Sequence, residues 1–195
     1  MSYRTPALLL ASLALLSGCV SHIESNVVQN PPPAEKFSDF SHFEIAKIEL
    51  VAPFAGQETN EKAVAKIQEN LSANLAPVLA KWNRTGAGNT VVRTLEIEPT
   101  ITQIRFIRAG VRVFTGWMAG SSGVILTAKI SEKETGKVIA TPEFYARAYA
   151  MSGEISFGAA DNIMLVRIAN RLADYLQANY AQAVGGPSGA ESSAK

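Results

Sequence analysis

Val124-Ile125-Leu126-Thr127-Ala128-Lys129-Ile130-Ser131-Glu132, continued by Lys133-Glu134-Thr135-Gly136-Lys137, is the stretch on which the fold turns. Val124, Leu126, Ala128 and Ile130 fall on one side of an extended chain, and Ile125, Thr127, Lys129 and Ser131 on the other. A period of two is the signature of a strand with one buried face. Glu134-Thr135-Gly136-Lys137 then reads as a turn, because glycine tolerates the positive φ that a tight reversal needs. Residues 137–151 resume the alternation: Phe144, Ala146 and Ala148 oppose Tyr145, Arg147 and Tyr149. The two runs therefore predict a hairpin, with Pro142 weakening its second strand.

Working outward, residues 43–51 hold Phe43, Ile45, Ile48 and Leu50, a strand pattern that loses phase at Ala46. Thr59 or Asn60 is the expected cap of a helix over 60–82. There Val64, Ile67, Leu71, Leu75, Val78, Leu79 and Trp82 recur at three- and four-residue steps, with Pro77 expected to kink or shorten it. Residues 90–108 alternate again, and the phase changes between Pro99 and Ile104, which predicts a bulge or an edge position. The last helix is expected over 159–181, with Met164, Ile168, Leu172, Tyr175, Leu176 and Tyr180 on its apolar stripe. The order is βαβββα. The expected fold is α+β: a four-stranded, mostly antiparallel sheet with two amphipathic helices on one face.

The amino terminus carries a different signal. Arg4, an apolar run over 7–16 and Leu15-Leu16-Ser17-Gly18-Cys19 combine a basic residue, a short hydrophobic core and a small-residue cleavage site. The run is too short to span a bilayer, which takes about 20 residues. Cys19 is the single cysteine of the chain. Leu-x-small-Gly-Cys resembles the lipobox of bacterial lipoproteins. By that resemblance Cys19 carries diacylglycerol and an N-acyl chain, the only groups expected on the protein. Val20, where an aspartate would imply inner-membrane retention, implies the periplasmic face of the outer membrane.

The expected layout is a signal peptide over 1–18, a lipidated tether over 19–36 stiffened by Pro31, Pro32 and Pro33, one periplasmic domain over 37–183, and a disordered tail over 184–195. Removing residues 1–18 takes Arg4 and no acid, which leaves 17 basic and 17 acidic residues. A neutral chain argues against nucleic acid as a partner. With its one cysteine acylated, the fold has no disulfide to lean on.

The lipobox, the strand-helix-strand opening with Phe54 after the first strand, and the Gly-rich segment leading into VILTAKISEKETGKVIA together resemble a family of bacterial lipoproteins of unknown function. The element order is also similar to periplasmic accessory modules of the CsgG and TolB N-terminal type. The resemblance implies envelope assembly or accessory binding, not catalysis, and no pore, since a CsgG-like transmembrane hairpin is missing.

Chemistry is expected to be absent. His22 and His42 lie in or beside the tether, away from any nucleophile or ligand set. Glu96 and Glu98 share a strand face, where a solvated surface is the simpler reading than a carboxylate pair. Residues 110–123 lack the ending of a phosphate loop. Two surfaces are candidates for contact. Arg105, Arg108, Arg112 and Trp117 would meet lipid headgroups or a partner protein, unless they pack on the domain itself. Tyr145, Arg147 and Tyr149 would present the open face of the sheet to a partner or a second copy. The expected function is that of a lipid-anchored accessory protein, membrane-bound through its anchor, with no metal. The alternative is a carrier of lipid or a small hydrophobic ligand, held in a cleft between sheet and helices.

Overall fold

The computed structural model describes residues 23–88, 92–106, 121–148 and 159–191. Its strands are β1 (Gln29–Asn30), β2 (His42–Ile45), β3 (Glu49–Leu50), β4 (Thr94–Arg105), β5 (Ser122–Glu132), β6 (Val138–Ala140), β7 (Glu143–Ala148) and β8 (Gly186–Pro187), and its long helices are α1 (Glu58–Gly86) and α2 (Ala159–Ala181). The fold is α+β. The hairpin read from 124–140 forms as expected: β5 runs antiparallel to β6 and β7, and Gly136 holds φ +71° in the turn.

The sheet departs from four mostly antiparallel strands. It has six strands and is mixed. β2 and β3 lie along one side of β4 and run parallel to it, while β6 and β7 lie along the far side of β5. Four strand positions therefore exist, but each outer one is broken in two. The parallel pairing follows from α1, about 43 Å long at 1.5 Å per residue, which returns the chain to the end where it started.

The breaks have local causes. Pro142 separates β6 from β7. The interruption between β2 and β3 falls beside Pro99, which has no N–H to donate. Ala128, opposite Pro99 in β5, sends its own N–H the other way, to the Pro142 carbonyl (3.0 Å), so Pro99 costs the β4–β5 ladder no bond. The N–H of Ile48, inside the break, is taken by Gln68 Oε1 of α1 at 2.9 Å. The expected bulge in β4 appears between Ile101 and Gln103.

Both helices share one core with one face of the sheet. Ile67, Leu71, Leu75 and Trp82 of α1 and Met164, Ile168 and Leu172 of α2 meet Leu95, Ile97, Leu126, Ile130 and Phe144. Trp82 stacks on Tyr180 at 4.3 Å and 10°, with the Phe43 ring 5.0 Å from Trp82, and this ties both helices to β2. Pro77 neither ends nor shortens α1. It sits on the exposed side, where water can serve the carbonyl it leaves unbonded. Thr59 and Asn60 are not the cap: the helix starts at Glu58, and the Asn60 amide instead donates back to the Phe54 carbonyl at 3.0 Å.

The largest correction concerns the ends of the domain. Neither described part of the expected tether nor that of the expected tail hangs free. Residues 23–35 lie against the outer edge of β6 and β7. Asn30 is buried and pairs with Glu143, and Ala34 donates to the Ile139 carbonyl at 2.9 Å. Residues 184–190 fold beside them: β8 is antiparallel to β1, Ser188 is fully buried, and its carbonyl accepts the Tyr145 N–H at 2.9 Å. An open strand edge attracts any chain with free donors and acceptors. Here the protein's own termini fill it. Prolines suit that role, because a segment paired through few N–H groups loses little by lacking some.

Candidate functional site

β-Pairing brings residues of three strands into one row. Arg105, near the end of β4, is opposite Gly123 of β5, and Gly123 is opposite Arg147 of β7. Residues in register share a face, so both arginines project from the side away from the helices, about 10 Å apart at the backbone given a strand spacing near 4.8 Å. The next row is Gln103, Ile125 and Tyr145. Arg105 and Arg147 are half-buried, and both make interactions within the chain. Gly123 leaves a gap between them.

Ile23 fills that gap. A Cβ placed on Gly123 would stand 3.3 Å from Ile23 Cβ and 3.7 Å from the Tyr145 ring. The Tyr145 hydroxyl donates to the Ile23 carbonyl at 3.0 Å, and the Ser25 hydroxyl donates to Glu143 Oε1 at 2.5 Å. The amino-terminal segment is thus seated on the sheet from Ile23 onward. Ile23 lies four positions after Cys19, a span of at most about 14 Å.

Of the first predicted surface, only Arg105 is described; Arg108, Arg112 and Trp117 lie outside the described residues. Of the second, Arg147 is half-buried on the predicted face and Tyr149 lies outside the described residues. Tyr145 does not await a partner: it is 8% exposed, covered by the chain's own amino-terminal segment. The structure joins Arg105 and Arg147, which the sequence placed on separate surfaces. No local signal could have shown this, because register between strands 40 residues apart is set by pairing alone. Ile23 and Gly123 were missed for the same reason. Cys19 and His22 also lie outside the described residues.

Farther along this sheet face, two ion pairs join neighbouring strands. Lys129 meets Glu98 at 2.7 Å and Lys133 meets Glu44 at 2.5 Å. Glu98 is therefore a partner of lysine, not half of a carboxylate dyad. A shallow cavity of about 150 Å³ opens at the β2–β3 break, lined by Ala46, Lys47, Glu49, Glu98, Thr100 and Lys129. At the lower edge Arg93 bridges Glu132 (2.5 Å) and Glu35 (3.0 Å) and lies 4.4 Å over the Phe40 ring. Lys137 lowers the Glu35 carboxyl below its usual range, with Arg93 adding to the effect; Arg93 does the same for Glu132, followed by Thr135. His42 Nε2 lies 3.4 Å from Glu44 and is half-exposed. Among the described residues, no three His, Cys, Asp or Glu side chains converge as a metal site would require, and no helix is long and apolar enough to cross a membrane.

Comparison with known proteins places this geometry in context. No curated protein matches the chain. Solved structures that align with it include the PelC dodecamer from Paraburkholderia phytofirmans, at 14% identity over 72% of this chain and 91% of that one with a TM-score of 0.37. A minor lipoprotein from Acinetobacter baumannii aligns at 13% identity over 72% and 95% of the two chains, TM-score 0.33. Lipoprotein GNA1162 from Neisseria meningitidis aligns at 12% identity over 69% and 99%, TM-score 0.34. Similarity this distant bears on no residue of the surface described above. The family match is different in kind, since it spans residues 36–153, well over half of the chain. The chain belongs to the family described as domain of unknown function DUF4410.

Proposed function

We propose that the protein is a lipid-anchored accessory protein on the periplasmic face of the outer membrane. It serves envelope assembly or transport by binding another envelope protein or a second copy of itself. It acts by binding and not by catalysis, with no cofactor beyond the acyl chains on Cys19. The observation that carries this reading is the seating of residues 23–34 on the sheet. A chain fixed to the domain four residues after an acylated cysteine holds the body close to the bilayer, at a set position, as suits a subunit of a larger assembly. The kinship with CsgG and TolB amino-terminal modules belongs to this proposal.

Among the described residues, the packing between sheet and helices lends the carrier reading no support. The space between sheet and helices is filled by side chains such as Ile67, Leu95, Leu126 and Ile168, each fully buried.

Metabolic labelling with a clickable fatty acid, followed by crosslinking in intact cells and mass spectrometry, tests the proposal. The wild-type chain should incorporate label and fractionate with outer membranes, Cys19→Ala should do neither, and a defined crosslinked species should appear. An unlabelled wild-type product would remove the anchor. A labelled product crosslinked to nothing, not even itself, would remove the accessory role.

A further inference from the structure

We infer that the carboxy-terminal segment over 184–190 is a clasp that sets the reach of the lipid tether: seated, it holds residues 23–32 on the sheet, and withdrawn, it lets them go. Its consequence at the membrane rests on the anchor reading; the coupling between the two ends of the chain stands on the packing alone.

The carboxy-terminal segment stands between the sheet and the amino-terminal segment. Ser188 is fully buried. Its carbonyl accepts the Tyr145 N–H of β7 at 2.9 Å, and its own N–H donates to the Val28 carbonyl at 3.0 Å. Its hydroxyl donates to the Val27 carbonyl. β1 accordingly finds its strand partner in β8 and not in β7. The contact between the two ends leaves no room for a side chain. Gly185 holds φ +75°, and a Cβ there would overlap the Asn30 carbonyl. The clasp is fixed at its root, because the buried Asn179 side chain accepts the N–H groups of Val184 and Gly185.

With the clasp withdrawn, the hydrogen bonds that remain to seat residues 23–32 come from side chains. The Tyr145 and Tyr175 hydroxyls donate to the Ile23 and Pro31 carbonyls, and Ser25 and Asn30 bind Glu143. Each such bond gives little net stability, whereas every residue held in place loses backbone freedom. Ten residues with few large apolar side chains cannot stay ordered on that support. The first held position then becomes Pro33, which is buried, followed by Ala34, which donates to the Ile139 carbonyl. Pro33 lies fourteen positions after Cys19, so the reach from the anchor grows from about 14 Å to about 48 Å. A partner protein that takes up the carboxy-terminal segment as an added strand thereby frees the domain to move away from the bilayer.

The test uses the full acylated protein in detergent micelles, with spin labels on Asn26→Cys and Thr141→Cys, both exposed. Ala65→Cys on α1 with Thr141→Cys is the reference pair. Double electron–electron resonance should give one narrow distance between positions 26 and 141 in the otherwise wild-type chain. In a chain ending at Ala183, and in G185A, that narrow distance should give way to a broad and longer distribution while the reference distance holds. G56A, also at positive φ (+80°) but with nothing within 4 Å of the added Cβ, should change neither pair. A 26–141 distance that stays narrow in the shortened chain overturns the clasp. Where the shortened chain loses the reference distance as well, G185A decides by the same criterion, and loss of both distances in both variants also overturns the clasp, since the segment would then hold the fold and not the tether. The intact mass of the unlabelled protein reports acylation separately: a mass without acyl chains overturns the anchor reading and the change in reach, and leaves the coupling of the ends to the distances.

Discussion

Asn30 binds Glu143 as a second peptide group would: its Nδ2 donates to the Glu143 carbonyl at 2.9 Å, and its Oδ1 accepts the Glu143 N–H at 2.8 Å. The pair closes the outer edge of β7. The opposite edge is closed in the same manner, because Asn83 of α1 accepts the Phe43 N–H at 2.7 Å and donates to the Phe43 carbonyl at 3.2 Å. Amide side chains finish both sides of this sheet. Each carries one donor and one acceptor in the geometry of a backbone peptide, without adding a strand that another molecule could extend.

Replacing Asn30 with alanine should leave the Glu143 N–H and carbonyl unpaired beneath the amino-terminal segment. The expected loss is about 1–3 kcal/mol, read from urea unfolding of the purified protein. An unchanged midpoint would show that water takes over both bonds.

Asn179 ties the carboxy-terminal segment to α2. It is fully buried, accepts the N–H groups of Val184 and Gly185 at 2.8 Å each, and donates to the carbonyls of Tyr175 and Gly185. Asn179→Ala should destabilise by at least about 2 kcal/mol. It should also open residues 184–190 to proteolysis before the rest of the chain unfolds. Cleavage that stays as slow as in the wild type would mean that β8 holds without this anchor.

Gly86 and Gly88 differ sharply although they are two residues apart. A Cβ at Gly86 would overlap the Ser41 carbonyl, whereas at Gly88 nothing stands within 4 Å. Gly86→Ala should therefore cost about 1–3 kcal/mol, as overpacking does. Gly88→Ala should be neutral or slightly stabilising through the unfolded chain. Thermal melts of the two variants side by side check the contrast.

Stability should fall in acid and in strong alkali for separate reasons. The carboxyls of Glu35, Glu44, Glu132 and Glu134 are held below their ordinary range, by Lys137, Lys133, Arg93 and Thr94 respectively as the leading causes. A lowered folded value means that stabilisation is complete above the unfolded carboxylate range and is lost as pH falls through the folded one. Urea midpoints should thus decline between about pH 5 and about pH 2, and Arg93→Met should flatten that decline. Burial pushes the Tyr175 hydroxyl up to about 12, where it donates to the Pro31 carbonyl at 3.3 Å. Its contribution is complete below the unfolded value near 10 and fades as pH rises toward 12. Tyr175→Phe should remove that alkaline loss. A wild-type profile flat at either end would contradict the corresponding half.

The elements themselves were legible because their causes are local. Alternation at 124–132 needs only neighbouring residues to reveal it. The turn needs only Gly136, and the bounds of α2 only its apolar stripe and the glycines flanking it. Even the irregularity at Ala46 and the phase change near Pro99 marked the places where the sheet is broken or bulged. Of the candidate surfaces, Arg105 and Arg147 were named from the sequence, but not as a pair.

What the tertiary structure alone decided was partnership over distance. Whether β2 runs parallel or antiparallel to β4 depends on where α1 returns the chain, which no pattern inside β2 encodes. Residues 23–35 and 184–190 hold few large apolar side chains, Ile23 the chief among them, so by composition they have little to bury. They are ordered because an unfilled strand edge, 113 residues from Asn30 in the case of Glu143, supplies the hydrogen bonds they lack. A sequence displays each chain segment's own preferences; the complement that satisfies a weak segment exists only once the sheet has formed.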